Sequence, residues 1–353
     1  MRIVFRTDAS IDIGTGHVMR CLTLARAFVE QGAQCQFICR AHEGHLIEYV
    51  RGQGFQVHVL DVESAVSQPS GGPVHAHWLG SSQARDAQVC ALLLEVIRPD
   101  WLVVDHYALD AQWEQLLSNC YQRLMVIDDL ADRPHVADVL LDQTLGRDTS
   151  AYKAYVPANC TLLCGAAYVL LRPEFVALRP YSLHRRAAPI LRQVLVTMGG
   201  VDKDNATGRV LDALSRCVLP SDCRVVVVMG PKAPHLQSVR TQAQTLPCST
   251  QILSGVSNMA QLMADSDLAI GAAGATAWER CCLGLPTLML VLADNQHYLA
   301  EVLVGAGAAK LLDLEELNNS ELISSLGMGL TASTLVDGEG VARVLQALRG
   351  LCD

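Results

Sequence analysis

The chain has 353 residues, of which 50% are hydrophobic and 18% are charged, and its formal net charge is -9. A chain of this length exceeds the usual size of one core, so we expect two domains of similar size. The acidic balance disfavours nucleic-acid binding. No apolar run approaches the ~20 residues of a membrane span, and the N-terminal residues do not resemble a signal peptide, so we expect a cytoplasmic protein.

The first half predicts alternating strands and helices. Its strands are continuous apolar runs, as at 101–104, which is typical of a parallel sheet covered on both faces. Gly32 ends the first helix, and the composition of residues 67–72 indicates a loop. We place strands at 2–6, 34–39, 56–60, 101–105, 124–128, 138–142 and 161–164, and helices at 16–31, 43–53, 82–97 and 110–119.

Residues 173–192 interrupt this alternation with three prolines and a basic cluster, which indicates a connector. A second alternating series follows, so we expect domains at 1–178 and 189–353, with the last helix able to pack back on the first. Both halves look doubly wound. We place strands at 193–197, 224–229, 250–253, 267–271, 287–291 and 308–312, and helices at 204–216, 257–265, 275–284, 296–304 and 337–349.

The first strand runs into a glycine turn, and an amphipathic helix opens directly after it. Free N–H groups and the positive end of the helix dipole attract anions at such a turn. The same field disfavours protonation of His17, so we expect a neutral imidazole suited to general-base catalysis. Arg20, one turn on, is predicted to reach the same place. The alternatives are a plain turn for Gly14 and Gly16 and an ordinary surface histidine for His17.

The segment 270–280 predicts a second site, because its small residues let a ligand approach the backbone closely. Gly274, Ala275 and Thr276 open a helix whose N–H groups can bind a diphosphate. Glu279 lies in the first turn of that helix. It either complements the helix dipole or accepts hydrogen bonds from ribose hydroxyls, and the ribose role is favoured beside a phosphate site.

Two further segments follow apolar strands of the second half, where ligands collect in open α/β sheets. Gly199 and Gly200 permit backbone contact with phosphate. Asn295 and Gln296 offer donors and acceptors suited to sugar hydroxyls or amides. Each segment has an alternative interpretation as a simple turn or a helix N-cap.

Polar residues also follow strands of the first half. Tyr107 follows a buried strand and is predicted to line the ligand site. For the pair at 128–129, capping is favoured over a metal site, since no histidine or third carboxylate lies at ligand spacing. His75 and His77 fall in a loop and are expected to be exposed without partners. The thirteen cysteines show no Cys-x-x-Cys spacing and are expected to be small buried side chains.

Five motifs together resemble one family, and the resemblance extends along nearly the whole chain. The family is that of the UDP-2,4-diacetamido-2,4,6-trideoxy-β-L-altropyranose hydrolases of the pseudaminic acid pathway. The motifs occupy residues 6–25, 105–114, 127–133, 171–175 and 271–280.

The resemblance implies a GT-B-like α/β fold, in which two Rossmann-like, doubly wound domains face a cleft. It implies hydrolysis of the UDP-sugar with inversion and C–O cleavage, without a metal or cofactor, on a route whose product decorates flagellin or surface polysaccharide. His17 matches the proposed base of the family, and Arg172 and Glu279 match substrate-binding positions. We expect a monomer whose partner is a small-molecule UDP-sugar, with no insertion into a membrane.

Three other functions remain open on the sequence. An inverting GT-B glycosyltransferase would use the same base, but an acceptor hydroxyl would replace water. A non-catalytic nucleotide-sugar-binding protein would keep the glycine loops without needing His17. A nicotinamide oxidoreductase is disfavoured, because Met19 stands where the dinucleotide-binding fingerprint requires glycine.

Overall fold

The computed structural model describes residues 1–63 and 72–351, so most of the loop predicted at 67–72 lies outside the described residues. The chain divides into two compact units. The first comprises Met1–Leu170 with the segment that begins at Gly340, and the second comprises Leu171–Glu339. Within the described residues, no helix has both the length and the apolar character needed to span a bilayer.

The first unit is built on a parallel sheet of seven strands within the described residues, in the order β3-β2-β1-β4-β5-β6-β7. Apolar strand residues are buried on both faces of the sheet, in two clusters that include residues of the helices, as predicted for a parallel sheet. They are β1 (Arg2–Thr7), β2 (Gln34–Arg40), β3 (Gln56–Leu60), β4 (Trp101–Asp105), β5 (Arg123–Ile127), β6 (Val139–Asp142) and β7 (Thr161–Cys164). The helices among them are α1 (Gly16–Glu30), α2 (Ile47–Gly52), α3 (Gln83–Ile97) and α4 (Ala111–Leu116).

The second unit repeats this architecture with a six-stranded parallel sheet in the order β10-β9-β8-β11-β12-β13. Its strands are β8 (Gln193–Thr197), β9 (Arg224–Met229), β10 (Ser249–Ser254), β11 (Leu268–Ala272), β12 (Thr287–Leu290) and β13 (Lys310–Leu311). Its helices are α5 (Pro173–Arg185), α6 (Ala206–Ser215), α7 (Leu236–Ala243), α8 (Met259–Asp265), α9 (Thr276–Cys282), α10 (His297–Gly305), α11 (Asn319–Ser324) and α12 (Met328–Leu335).

Most of the segment expected to be a connector is instead helix α5. Pro173 occupies the first turn, where the missing N–H costs nothing, and Pro180 is tolerated inside the helix. Arg179, beside Pro180, donates to the carbonyl oxygens of Ser333 and Val336 at 2.8 and 3.1 Å. Because α5 packs on α8 and α9, the boundary between the units falls after Leu170 rather than after residue 178.

The last described helix, α13 (Gly340–Arg349), belongs to the first unit. Its residues Val344, Leu345 and Leu348 are buried in the same core as the apolar face of α1. The sequence placed the start of this helix at residue 337, three positions before the observed one.

Each sheet reverses its strand order beside its first strand. β1 continues to β2 on one side and pairs with β4 on the other, and β8 likewise lies between β9 and β11. Beyond the carboxyl ends of two such strands the connecting loops diverge and leave a crevice, which is where open α/β sheets bind ligands. The segments predicted to carry function follow these strands in both units.

Candidate active site

His17 lies in the first turn of α1 and is 8% exposed. Its Nδ1 lies 2.6 Å from Oδ1 of Asp105, the last residue of β4. The two residues meet because β1 and β4 are neighbours, with Thr7 opposite Asp105 in the register. Against an ionised carboxylate Nδ1 must carry the proton, which leaves the lone pair on Nε2. The pair therefore orients an imidazole with one basic nitrogen.

Asp105 is held in its ionised form by Arg20. The guanidinium pairs with both carboxylate oxygens, Nε to Oδ2 at 2.6 Å and Nη2 to Oδ1 at 2.8 Å. Burial alone would raise the pKa of Asp105, but the charges and hydrogen bonds of Arg20 and His17 outweigh it and hold that pKa well below its usual range. The structure thus identifies Asp105 as the group that orients His17.

Arg20 was predicted to reach the substrate, and the structure places it behind His17. Its guanidinium contacts Asp105 and Asp129, and the residue is only 7% exposed. The sequence predicted a neutral His17 from the helix terminus alone, whereas the ring also contacts the Asp105 carboxylate and lies 3.4 Å from Arg20 Nη2. Two charged side chains that the sequence did not place there therefore lie beside the imidazole.

The turn before α1 requires the two predicted glycines in different ways. Gly14 has a φ of 77°, a left-handed conformation that favours glycine, and its N–H donates to the Ser10 carbonyl at 2.9 Å. Gly16 is the first residue of α1, and the N-cap Thr15 makes no side-chain capping hydrogen bond. The start of α1 therefore lacks a side-chain cap next to His17.

Aromatic rings line the other side of His17. Tyr107 presents its ring edge-on to the imidazole, with centroids 4.5 Å apart, and its hydroxyl donates to Asp129 Oδ2 at 3.0 Å. Trp78 stacks on Tyr107 at 5.8 Å, and the His75 ring lies 4.3 Å from Trp78. Tyr107 thus lies beside the proposed base, as expected for a residue of the ligand site.

His77 is exposed, as expected, whereas His75 is half-buried, and both rings contact Trp78. Burial, followed by the nearby His77, lowers the pKa of His75. The sequence could not reveal the contact between Trp78 and Tyr107, since aromatic contacts between distant residues have no characteristic spacing.

The adjacent carboxylates at the end of β5 are ion-paired. Asp128 lies 2.8 Å from Arg133 Nη1 and accepts a hydrogen bond from the Tyr152 hydroxyl at 3.0 Å, while Asp129 contacts Arg20 and Tyr107. Over residues 1–63 and 72–351, no three histidine, cysteine or acidic side chains are grouped as a metal site would need.

In the second unit, the glycine loops that follow β8 and β11 leave space next to the backbone. A Cβ atom placed on Gly199, Gly200 or Gly274 would meet no atom within 4 Å. Gly199 has a φ of 89°, and a Cβ on Gly230 would lie only 1.9 Å from the Gly200 carbonyl oxygen. The loops that contain Gly199, Gly200 and Gly274 therefore present backbone that a ligand can contact closely.

The helices that follow these two loops are capped differently. At α6, Asn205 accepts from the Gly208 N–H, and Asp202 accepts from Ala206 and Thr207. At α9, which begins at Thr276 after the N-cap Ala275, no side chain makes a capping hydrogen bond. Asp202 therefore accepts from the first N–H groups of α6, while Asn205 occupies the N-cap position itself.

Glu279 pairs with Arg172, the other residue that the family resemblance assigned to substrate binding. Arg172 Nη2 lies 3.0 Å from Glu279 Oε1, and Arg172 Nη1 lies 2.9 Å from Glu174. Burial raises the pKa of Glu279, and the charge of Arg172 opposes that shift. Among the described residues Glu279 Oε2 has no hydrogen-bond partner, so one carboxylate oxygen remains an unsatisfied acceptor.

The predicted polar pair after β12 is only partly described. Gln296 Oε1 accepts a hydrogen bond from the Leu292 N–H at 3.0 Å, so the side-chain carbonyl oxygen stabilises the loop to which Gln296 belongs. The side chain of Asn295 lies outside the described part of the structure.

Comparison with known proteins identifies the fold. Residues 193–334 match the model of the glycosyltransferase family 28 C-terminal domain. The crystal structure of Acinetobacter baumannii MurG superposes with a TM-score of 0.69 at 14% identity, covering 99% of each chain. These matches confirm the expected GT-B-like fold of two Rossmann-like domains.

One relative bears the name of the family that the motifs resemble. The UDP-2,4-diacetamido-2,4,6-trideoxy-beta-L-altropyranose hydrolase of Campylobacter jejuni is 24% identical over 87% of this chain and 97% of its own length. The chain is a relative of that hydrolase. The spore coat polysaccharide biosynthesis protein SpsG of Bacillus subtilis is 32% identical over 56% of this chain and 61% of its own. The chain spans about three-fifths of the length of two of the curated relatives it matches.

Proposed function

We propose that the chain hydrolyses UDP-2,4-diacetamido-2,4,6-trideoxy-β-L-altropyranose to UDP and the free sugar. The observation that carries this proposal is the 2.6 Å contact between His17 Nδ1 and Asp105, which leaves Nε2 as a base. The relationship to the Campylobacter jejuni hydrolase supports the choice of substrate. We further propose a role in pseudaminic acid biosynthesis in the cytoplasm, upstream of flagellin glycosylation, as the resemblance of the sequence motifs implies.

In this mechanism His17 Nε2 removes a proton from water as the water oxygen attacks the anomeric carbon. The C–O bond to UDP breaks on the opposite face, so the anomeric configuration inverts. Asp105 acts as a positioning residue that holds the ring and stabilises the imidazolium formed. A single general base contributes about 10²–10⁴-fold to a rate, so most of the remaining acceleration must come from orienting the water and stabilising the departing diphosphate.

The second unit would bind the nucleotide. The open backbone at Gly199, Gly200 and Gly274 suits a diphosphate, with Ala275 and Thr276 at the start of α9, and the free Oε2 of Glu279 suits a ribose hydroxyl. UDP leaves readily as an anion. Unlike the leaving alkoxide of an ordinary glycosidase, it needs no carboxylic acid to protonate it. One base and one anion-binding site are therefore sufficient for the reaction.

The decisive experiment is to incubate the protein with the UDP-sugar in H₂¹⁸O without any acceptor. We expect release of UDP, detected by chromatography, with ¹⁸O in the sugar and none in UDP. NMR should show the inverted anomer before mutarotation. Label in UDP, or retention of configuration, would contradict the mechanism.

The alternative function is an inverting UDP-sugar glycosyltransferase, which the match to the family 28 domain favours. In that case the same base would act on an acceptor hydroxyl. UDP release that appears only after an acceptor is added would establish this alternative over hydrolysis.

A further inference from the structure

The second unit contains a buried arginine that makes no ion pair within residues 171–339, although the charge of Glu279 acts on it at longer range. Arg280 lies in α9 and is 1% exposed. Its Nη2 donates to the Ala272 carbonyl at 2.8 Å and its Nη1 donates to Thr276 Oγ1 at 3.2 Å, while Nε has no partner among the described residues. Burying an unpaired charge is costly, so such a group is expected to have a compensating partner.

Arg280 differs in this respect from the buried arginines of the first unit. Arg6, Arg20 and Arg133 each pair with an aspartate at 2.6–2.8 Å. Burial lowers the pKa of Arg280 to about 10, whereas the partners of Arg20 raise its pKa above the usual value despite its burial. Within residues 171–339, no carboxylate lies at ion-pair distance from the Arg280 guanidinium.

The surroundings of Arg280 indicate where its missing counter-charge belongs. The two hydrogen bonds of Arg280 end on the residues that flank the β11–α9 loop, Ala272 at the end of β11 and Thr276 at the start of α9, and a Cβ on Gly271 would lie 2.7 Å from Nη1. The same loop contains Gly274, where an added Cβ would meet nothing within 4 Å. The guanidinium is thus held against a loop that has open space beside it.

Thr276 carries the effect of the cation to the ligand. Because Arg280 Nη1 donates to Thr276 Oγ1, one lone pair of that oxygen is occupied and its rotation is restricted. The hydroxyl proton must then point away from the guanidinium. A phosphate oxygen is a strong acceptor for a hydroxyl polarised in this way.

We infer that Arg280 is a positioning residue for the diphosphate of the nucleotide, acting through Thr276 and through its own charge, which makes no ion pair within residues 171–339. This inference rests on the proposed nucleotide site of the second unit. The ligand chemistry it specifies is an anion of phosphate type, and the uridine part contributes nothing to it.

The test compares UDP with uridine, which lacks the phosphates, by isothermal titration calorimetry. Arg280→Met keeps the length of the side chain and removes its charge. We expect the affinity for UDP to fall about tenfold or more while the affinity for uridine stays unchanged, because only UDP carries the counter-charge. Arg280→Lys is expected to recover part of the loss.

Arg186 provides the matched control. It is also buried and donates to carbonyl oxygens, those of Met263 and Ser266 at 3.0 and 2.7 Å, and burial lowers its pKa to about 10. Its contacts lie away from the β11–α9 loop. Arg186→Met is therefore expected to lower stability and to leave the ratio of UDP to uridine affinity unchanged.

Thr276→Val tests the inference without removing the cation, which matters if Arg280→Met does not fold. We expect Thr276→Val to lower the affinity for UDP but not for uridine. We expect the double variant to lose less binding free energy for UDP than the sum of the losses in the two single variants. An equal loss of affinity for UDP and for uridine, or an unchanged affinity for UDP, would overturn the inference. If the unaltered protein itself fails to prefer UDP to uridine, the proposed nucleotide site fails as well, and this outcome is recognisable before any variant is made.

Discussion

The imidazole of His17 has one nitrogen committed to a carboxylate, and this fixes what a substitution should do. His17→Asn keeps a polar side chain but removes the basic nitrogen, so we expect kcat for UDP release to fall by about 10²–10⁴-fold. The affinity for UDP, measured by calorimetry, should stay at the original value. Turnover close to that of the unaltered protein would show that another group is the base.

A substitution of Asp105 tests whether its carboxylate positions His17. Asp105→Asn keeps the shape of the buried side chain but removes the charge that fixes the tautomer of His17. We expect kcat to fall about 100-fold, at the lower end of the range for losing a base, while KM changes little. Asp86→Asn is the matched control. Asp86 is also fully buried and pairs with Arg6 at 2.8 Å, but it does not contact His17.

In the control we expect lower stability and an unchanged kcat per folded molecule. An equal loss of kcat in both variants would mean that Asp105 supports only the fold.

The sequence predicted His17 from its place after a glycine turn, but it could not pair His17 with Asp105. That contact depends on β4 lying beside β1, and β4 is the fourth strand in the chain but the direct neighbour of the first in the sheet. The role expected of Arg20 changed for the same reason, since its two carboxylate partners lie at the ends of β4 and β5.

At the scale of elements, strands were easier to predict than helices. Each buried strand is a continuous apolar run, so a strand such as β9 is found at its predicted bounds, 224–229. Helix α5 was missed because its prolines indicated a connector, although Pro173 lies where a helix accepts proline. The short helices α7, α11 and α12 were missed as well, since few turns give a weak periodic signal.

The capping of α6 gives a prediction for one element. Asn205 caps the helix through the Gly208 N–H and has a φ of 52°. We expect Asn205→Ala to lower the free energy of unfolding by about 1 kcal/mol or more, measured by urea unfolding, because it loses the cap and retains a Cβ at positive φ. Asn205→Gly loses only the cap and should cost less. A larger cost for glycine than for alanine would contradict this explanation.

For the whole molecule, the buried carboxylates are distributed unevenly. Six acids are fully buried among the described residues of the first unit, and among those of the second unit only Asp202 is a buried acid; the six are Asp8, Asp86, Asp105, Glu114, Asp128 and Asp142. Burial, followed by the charge of Asp129, raises the pKa of Asp142 to about 6. Burial alone would also raise the pKa of Asp8, Asp86, Asp105 and Asp128, but paired arginines and histidines hold these four pKa values below the usual range. The stability that these pairs provide is therefore present at neutral pH.

This distribution predicts that acid unfolds the first unit before the second. A carboxylate with a lowered pKa stabilises the folded state above its unfolded pKa of about 4, and that contribution is lost progressively as the pH falls below it. Hydrogen exchange followed by mass spectrometry should show β1 and β4 losing protection at a higher pH than β8 and β11. Loss of protection in the second unit first would contradict the prediction.

The return of α13 to the first unit affects how the protein is made. Residues 171–339 leave the ribosome as an uninterrupted segment, so the second unit can close as soon as that segment has emerged. The sheet of the first unit is synthesised earlier, yet the core beside α1 stays incomplete until Val344, Leu345 and Leu348 arrive. In the nascent chain, the first unit is therefore the first to be synthesised and the last to complete its core.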